Sequence, residues 1–358
     1  MRKTKLDKTL ERFNQYRKFR GVQERTIEAD EEIIRRVLNL NKKSVFKWNR
    51  KNALDVYYKI HLYPVYAVHY KQLEGLKGDE FIRMADDLSL KRISKETEKR
   101  YLNVTKMLFR WLYDEGEVER DYFKDLKNRI DKRKPSEVRK SFELNHIKKI
   151  YDKLGYRNKD RVCDYTYWIP IIADELGLRQ NEIAQLYKDD MQKVERKWCF
   201  VITDKRWDQR LKNKSSKRVI PISNNLIRLG LVDYILSQNE RVFPELKYGR
   251  GGYADKVTDW FSAEMKKINI GDGYTFHSYR HFFTNRMKQS GVEDCIASEI
   301  LGHSYGSLAY ERYGKDYSVI KKKKIIDRNG SKAVAKLPVI YKSKNKENSI
   351  FRRLKNIF

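Results

Sequence analysis

The sequence predicts a mainly α-helical protein of two domains, with a small antiparallel β-sheet in the second. Three observations support this fold class. The chain has 358 residues, more than one compact core usually takes up. Apolar residues recur at helical spacing through most of it, and only residues 198–203 and 218–222 have the composition of short strands. The charged run 128–142, which contains Pro135 and lacks apolar periodicity, separates the two helical regions.

The first region consists of a polar, basic N-terminal segment, residues 1–45, followed by a helical domain, residues 46–133. Its clearest helix begins after Ser94, a favourable N-cap residue, and ends at Gly116. One apolar stripe with spacings of three and four runs along this helix: Tyr101, Val104, Leu108, Trp111 and Leu112. The opposite face carries four cations, Lys95, Lys99, Arg100 and Lys106. These cations form either an ordinary solvated face or a surface for phosphates.

The second region, residues 134–325, combines helices with the small sheet. Helical patterns cover residues 147–154, 168–176, 257–268, 277–290 and 295–301. A C-terminal tail, residues 326–358, follows. Its last ten residues place five apolar side chains on one helical face: Ile350, Phe351, Leu354, Ile357 and Phe358. Such a helix docks either on a neighbouring subunit or on its own domain.

Charge is the strongest feature of the composition. The chain has 79 Lys and Arg against 49 Asp and Glu, a formal net charge of +30 spread along its length. A polyanion, most simply nucleic acid, is the expected partner. The three cysteines, Cys163, Cys199 and Cys295, form no CxxC pair, so we expect neither a metal site nor a disulfide framework. No secretory signal and no membrane-spanning run is recognisable, and we expect a cytoplasmic location.

Two clusters of charged residues lie in the middle of the second region. In GLRQNE, Arg179 stands where a helix ends, and Glu182 follows one helical turn later. This pair is either a surface ion pair of little energetic value or an arginine that the carboxylate directs toward a phosphate. In RLKNKSSKRVIPI, Lys212 and Lys214 lie in a turn before a strand. They belong either to a solvated loop or to a site that needs a proton donor.

Histidines and a further arginine follow. In FHSYRHFFTNRM, the spacing sets His277, Arg280 and His281 close together on one helical face, beside apolar aromatic positions. An HxxR pair arises easily by chance in a basic protein. Burying two histidines and an arginine without partners is costly, however, which favours a functional cluster. His303 comes just after Leu-Gly, as if at the end of the next helix.

Two tyrosines, Tyr310 and Tyr313, follow three residues apart in AYERYGK. Each of the 24 tyrosines is a packing residue by default. One reaction would require all these clusters together. Attack on a DNA phosphodiester places extra negative charge on the non-bridging oxygens, which two arginines can hold bidentately. A tyrosine can act as nucleophile, a lysine can protonate the leaving oxygen, and histidines can donate hydrogen bonds or move protons.

The order R…K…HxxRH…LGH…Y resembles that of the tyrosine recombinases, also called phage integrases. GLRQNE is similar to the first arginine box of this family, HSYRH to the second, and LGHS with a following tyrosine to the third. The resemblance implies six catalytic residues: Arg179, Lys212, His277, Arg280, His303 and Tyr313. It gives supporting roles to Glu182 and His281. Lys214 is the alternative to Lys212. Tyr313, which is followed by glycine in ERYGK, is preferred over Tyr310 as the nucleophile.

The resemblance also implies a domain plan and partners. Residues 46–133 would be a helical core-binding domain and residues 134–325 a mixed α/β catalytic domain of the tyrosine recombinase type, closing on DNA as a clamp. The expected DNA contacts are Lys95, Lys99, Arg100, Lys106 and Lys214. The implied partners are double-stranded DNA with specific attachment-type sites, three further copies of the chain in a homotetramer, and an accessory bending or directionality factor. No cofactor is implied.

Three other functions are compatible with a basic protein of this size. A DNA-binding regulator would keep the fold without the reaction. A metal-dependent nuclease or transposase would need clustered carboxylates, and no such constellation is visible in the sequence. A type IB topoisomerase would use similar chemistry and relax DNA without sequence preference.

Overall fold

A computed structural model describes residues 3–130, 132–133, 140–249, 251–304 and 316–341. The chain forms two compact units, Met1–Lys132 and Arg133–Phe358. Helices dominate both units, and the second also has one three-stranded antiparallel sheet. The predicted fold class, mainly α with a small antiparallel sheet, is confirmed. No helix in the described ranges combines the length and the apolar character needed to cross a bilayer.

The described residues of the first unit form five α-helices and three short 3₁₀ turns. The helices are α1 (Lys5–Phe19), α2 (Glu24–Leu38), α3 (Arg50–His61), α4 (Asp79–Asp87) and α5 (Lys95–Asp114). The 3₁₀ turns are Val45–Lys47, Ala67–His69 and Lys71–Leu73. Side-chain caps define where three helices begin, because the side chains of Thr4, Asn49 and Ser94 each accept a hydrogen bond from a backbone N–H three residues later.

The N-terminal residues belong to the core of the first unit. Phe13 of α1 and Val37 of α2 are fully buried in the same apolar cluster as Phe109 of α5. A buried ion pair also joins the first two helices, with Nη2 of Arg17 lying 2.6 Å from Oδ2 of Asp30. Residues 1–45 were expected to be a separate basic segment. That expectation is corrected, because the amphipathic faces of α1 and α2 are covered by the rest of the unit.

Helix α5 carries the predicted basic face. Lys99 and Arg100 are exposed, whereas Lys95 and Lys106 are half-buried. The guanidinium of Arg100 also lies 3.2 Å from Oδ1 of Asp30. This face is therefore partly occupied by contacts within the unit, and Lys99 is its most open cation.

The second unit contains ten described α-helices and three strands. Before the sheet lie α6 (Leu144–Lys153), α7 (Tyr165–Leu176) and α8 (Gln180–Ala184). The strands are β1 (Met191–Val194), β2 (Lys197–Ile202) and β3 (Arg218–Pro221). The later helices are α9 (Asn224–Arg228), α10 (Leu231–Leu236), α11 (Asp255–Ile268), α12 (Ser278–Gln289), α13 (Asp294–Leu301), α14 (Val319–Arg328) and α15 (Lys332–Ala335). Short 3₁₀ turns cover Lys188–Asp190 and Lys214–Ser216.

The sheet has the order β1-β2-β3, and both pairs are antiparallel. Met191 faces Phe200 across the first pair, and Ile202 faces Arg218 across the second. Strand β1 was not predicted. It pairs with β2 through a two-residue turn in which Glu195 and Arg196 both have positive φ, 48° and 61°. Such a turn usually contains Asn or Gly, so this sequence lacks the ordinary hairpin signal.

Helix α7 lies at the centre of the second unit, and all twelve of its residues are buried. It ends at Gly177, which adopts φ +62°. A Cβ at this position would lie 2.4 Å from Cδ1 of Phe283. Only glycine satisfies both the backbone conformation and the close approach. The chain consequently turns sharply here, immediately before Arg179.

The described part of the predicted C-terminal tail packs against the second unit. Val334 and Leu337 are buried in its core, and Nη1 and Nη2 of Arg228 donate to the carbonyls of Leu337 and Val334, each at 3.0 Å. The backbone N–H of Ser331 donates to the buried carboxylate of Glu175 at 2.8 Å. The expectation that a tail begins at residue 326 is therefore wrong for residues 326–341, because these residues complete the core of the second unit. The apolar stripe of residues 350–358 lies outside the described residues.

Candidate active site

Arg179 stands at the sharp turn between α7 and α8, where its orientation is set by Glu182. The backbone N–H of Arg179 donates to Oε2 of Glu182 at 3.0 Å, and its Nη1 donates to Oε1 at 2.6 Å. Nη1 also donates to Oγ of Ser216, and Nη2 donates to the carbonyl of Gly302 at 3.2 Å. The guanidinium is thus held by three separate stretches of chain. Its pairing with Glu182 is the one that the sequence predicted.

A second arginine, Arg218, shares the same carboxylate and was not predicted. It is 4% exposed at the start of β3. Its Nη2 donates to Oε2 of Glu182 at 3.0 Å, and its Nε donates to the carbonyl of Ile300 at 2.8 Å. A signal for it exists in the sequence. Strand residues alternate in direction, so Arg218 faces the same way as the apolar Ile220, toward the interior.

Glu182 remains ionised because two guanidiniums surround it. Burial opposes the charged form, but the ion pairs with Arg218 and Arg179 outweigh it and lower the pKa of Glu182. Removing one partner of a buried ion pair typically costs about 3–5 kcal/mol. Loss of either Glu182 or Arg218 alone would therefore destabilise the fold, and Glu182 also positions Arg179.

Arg280 approaches from helix α12 and is only 2% exposed. Its Nη1 donates to the carbonyl of Gly177 at 2.9 Å, and its Nη2 donates to the carbonyl of Leu301. Arg179 donates to Gly302, the next residue along. The two predicted phosphate-binding arginines are therefore anchored on adjacent carbonyls at the end of α13.

His303 completes this group. Nη2 of Arg280 lies 2.8 Å from Nε2 of the His303 ring. An arginine can only donate hydrogen bonds, so Nε2 must be the unprotonated acceptor and the ring proton resides on Nδ1. Desolvation and then the positive charge of Arg280 lower the pKa of His303 to about 4. The ring is consequently neutral at physiological pH in the DNA-free protein.

We expect the His303 ring to titrate with a midpoint near 4 in the DNA-free protein. A histidine of ordinary pKa, about 6.5, is mostly charged at about pH 5, whereas this ring would stay mostly neutral there. Histidine ring NMR signals followed against pH measure the midpoint, and a His303→Gln variant assigns the signal. A midpoint at or above the ordinary value would show that the Arg280 contact is not made in solution.

The other predicted side chains within the described residues occupy more exposed positions. The rings of His277 and His281, one turn apart on α12, lie 4.8 Å apart in an edge-to-face arrangement. Lys212 and Lys214 are both exposed on the connection between β2 and β3. The charge of Lys212 also contributes to the lowered pKa of His303, which places this ammonium within electrostatic range of the ring. Tyr310 and Tyr313 lie outside the described residues.

The cluster has an excess of positive charge. Arg179 and Arg218 both pair with the carboxylate of Glu182. The Arg280 guanidinium instead contacts carbonyls and His303 and is affected by Glu182 only through its charge. Burial and then the charge of Arg179 lower the pKa of Arg280 to about 9. A bound anion would relieve this repulsion, so the geometry favours a phosphate ligand. In the described part of the chain, no group of three or more His, Cys, Asp or Glu side chains is placed to hold a metal ion.

Known proteins are similar to this chain in sequence. Residues 140–318 match the model of the phage integrase family. The chain is 25% identical over 173 residues to tyrosine recombinase XerA of Pyrococcus horikoshii, covering 48% of this chain and 55% of the relative. It is 28% identical over 171 residues to tyrosine recombinase XerC of Rickettsia typhi, covering 45% and 48%. The chain thus spans about half the length of these curated relatives.

Solved structures share the fold. One is a lambda integrase tetramer bound to a Holliday junction, with a TM-score of 0.56 and 15% identity, covering 87% of this chain and 79% of that one. Another is the Tn1549 transposon integrase in complex with a circular intermediate DNA, with a TM-score of 0.57 and 15% identity, covering 86% and 95%. At this identity the similarity concerns the fold alone.

Proposed function

Because the chain belongs to the phage integrase family, we propose that it is a site-specific DNA recombinase that integrates or excises a mobile element. It would cleave and rejoin duplex DNA through a 3′-phosphotyrosyl intermediate. The observation that carries this proposal is the convergence of Arg179 and Arg280 on the adjacent carbonyls of Gly302 and Leu301. Two guanidiniums from distant parts of the chain are anchored side by side there, and the carboxylate of Glu182 does not neutralise all the positive charge of the cluster.

The two arginines would bind the scissile phosphate. Each guanidinium can donate to a non-bridging oxygen, and both donations strengthen as negative charge develops in the transition state. Glu182 and Arg218 would act through Arg179 by holding its guanidinium in a fixed direction. His303, with its proton on Nδ1, would donate a hydrogen bond to the phosphate or move the proton of the nucleophile.

Tyr313 would be the nucleophile. Its phenol oxygen forms a bond to phosphorus, the bond from phosphorus to the 5′-oxygen breaks, and the phenol proton passes to a neighbouring base such as a histidine. Lys212, with Lys214 as the alternative, would protonate the leaving 5′-oxygen. A 5′-hydroxyl of another strand then attacks the phosphotyrosine and releases the tyrosine. His277 would hydrogen-bond the phosphate, and His281 would support this arrangement.

The partners follow from charge and from the neighbouring structures. A net charge of +30 suits extensive contact with phosphates, and Lys95, Lys99, Arg100 and Lys106 of the first unit would supply part of it. The lambda integrase neighbour is a tetramer on a Holliday junction, and we infer four copies of this chain per recombination event. The same proposal includes specific attachment-type DNA sites and an accessory DNA-bending or directionality factor. It also places the protein in the bacterial cytoplasm or nucleoid.

A nicked duplex tests the reaction. The probe is DNA from the repeats that bracket the element carrying the gene, nicked so that the strand beyond the cleavage point diffuses away. We expect a covalent protein–DNA adduct that resists denaturant and forms equally well in excess EDTA, because two arginines and a lysine stabilise the charges. Binding without an adduct would point to a regulator, and cleavage that EDTA abolishes would point to a metal-dependent nuclease. Either result contradicts the proposal.

A further inference from the structure

An exposed tryptophan stands on the connection between β2 and β3. Trp207 is 82% exposed, the highest value of any tryptophan in the described residues. It lies in a tight turn, residues 206–209, which is closed by a hydrogen bond from the backbone N–H of Gln209 to the carbonyl of Arg206 at 3.0 Å. We call these four residues the Trp207 turn. None of them takes part in the chemistry proposed above.

Buried contacts anchor the two residues that follow the indole in the Trp207 turn. Asp208 is 3% exposed and accepts hydrogen bonds from the hydroxyls of Tyr187 and Tyr253. The next side chain, Gln209, donates to Oδ2 of the buried Asp190 at 2.7 Å. The residues beside Trp207 therefore have fixed positions. The fold thus holds the indole outward in a fixed place, where its flat face is available to a ligand.

Aromatic and cationic groups surround the indole. Its ring lies 5.3 Å from that of Tyr248, and the guanidinium of Arg210 lies 5.1 Å from the same tyrosine ring. The guanidinium of Arg206 lies 4.0 Å from the ring of Tyr187 and also pairs with Oδ2 of Asp189 at 2.8 Å. Flat aromatic rings interleaved with arginines are the composition of surfaces that stack on nucleic acid bases.

The charge around the indole selects the class of ligand. Residues 204–217 contain six Lys or Arg and two acidic residues, one of which is the buried Asp208. A polyanion with flat apolar faces fits this surface better than a neutral protein or an acidic peptide does. The same connection carries Lys212, five residues after Trp207 in the chain.

We propose that the Trp207 turn is a second DNA contact, in which the indole stacks on a base or deoxyribose near the cleaved phosphate while Arg210, the exposed arginine beside the turn, binds a neighbouring phosphate. The inference rests on the proposed function for the identity of the ligand. The Trp207 turn would raise the affinity for DNA. The bond-making steps would take place at the arginine cluster. Stacking of this kind tolerates many sequences, since every base has a flat face.

Equilibrium binding of the full chain to the nicked duplex is the first test. Trp207→Ala should weaken binding by roughly 5- to 150-fold, the range for loss of one aromatic stacking contact. Trp207→Phe should retain most of the affinity, because it keeps a flat ring. The matched control is Val162→Ala, which removes another exposed apolar side chain from the same unit. Equal affinity of Trp207→Ala and the natural chain would overturn the inference.

Fluorine NMR of the chain labelled with fluorotryptophan is the second test. The chain has six tryptophans, and the signal lost in Trp207→Ala identifies Trp207. Duplex DNA should shift this signal, whereas heparin, a polyanion without bases, should leave it in place. The inference would be overturned by an equal shift with heparin or by no shift with saturating DNA. A shift that depends on protein concentration without DNA would also overturn it, because it would assign the surface to a second copy of the chain.

These readouts separate the two proposals. Natural chain that binds the duplex but forms no adduct refutes the recombinase function, and the Trp207 signal still reports whether the ring meets DNA. Normal adduct formation with an unmoved Trp207 signal refutes only the second contact.

Discussion

A Tyr313→Phe variant is expected to bind the nicked duplex as tightly as the natural chain does and to form no covalent adduct with it. Phenylalanine keeps the aromatic ring but has no oxygen to attack phosphorus, so the first chemical step cannot occur. Denaturing electrophoresis of the labelled duplex measures the adduct, and equilibrium binding measures the affinity. The expected loss is complete, which makes this the largest effect among the predictions.

Tyr310→Phe is the matched control for Tyr313→Phe. It removes the same atom three residues earlier in the chain, and we expect its adduct to form at nearly the natural rate. If Tyr310→Phe lost the adduct and Tyr313→Phe kept it, the nucleophile would be Tyr310. A mass-spectrometric search for the modified peptide identifies the residue independently.

Arg280→Ala is expected to lower the rate of adduct formation by a factor on the order of 100–1000, as loss of one donor to a transition-state oxyanion does. Arg280 lies at the centre of the cluster, next to His303 and close to the carbonyls of Gly177 and Leu301. Single-turnover kinetics at saturating protein isolate the chemical step from binding. A variant that cleaved at the natural rate would remove Arg280 from the site.

Arg280→Lys distinguishes charge from geometry. Lysine keeps the positive charge but cannot contact Gly177, Leu301 and a phosphate at once, so we expect most of the loss to persist. Because Arg280 also anchors two helix ends, thermal unfolding of both variants must be measured. A rate loss without a matching loss of stability assigns the effect to the transition state, whereas equal rates for the lysine variant and the natural chain would show that only charge is needed.

Much of the fold follows from local patterns. The stripe on α5 and the helix end at Gly177 are determined by residues near them in sequence, and both were predicted. Strand β1 could not be predicted, because its turn at Glu195 and Arg196 depends on pairing with β2 and carries no turn residues of the usual kind. The N-terminal helices could not be assigned to a domain, because the surface that covers them is contributed by residues far along the chain.

The candidate site shows the same division. The Arg179–Glu182 pair is local, three residues apart, and its spacing was sufficient to predict the contact. Arg218 meets Glu182 across 36 residues. Its alternation with Ile220 indicates that it faces the interior, but nothing near either residue indicates that Glu182 is its partner. Its burial contradicts the general rule that arginines lie at the surface, so a search for exposed basic residues passes over it.

The arginine anchors at Gly177, Leu301 and Gly302 are all main-chain carbonyls. Every amino acid supplies this acceptor, so the chemical identity of these positions matters to the guanidiniums only through the shape of the helix ends. Substitutions that preserve the two turns would leave the anchors in place. An insertion or deletion of one residue would rotate the carbonyls away and release both arginines together. These two turns must therefore keep their length, and the first must also keep its glycine at position 177.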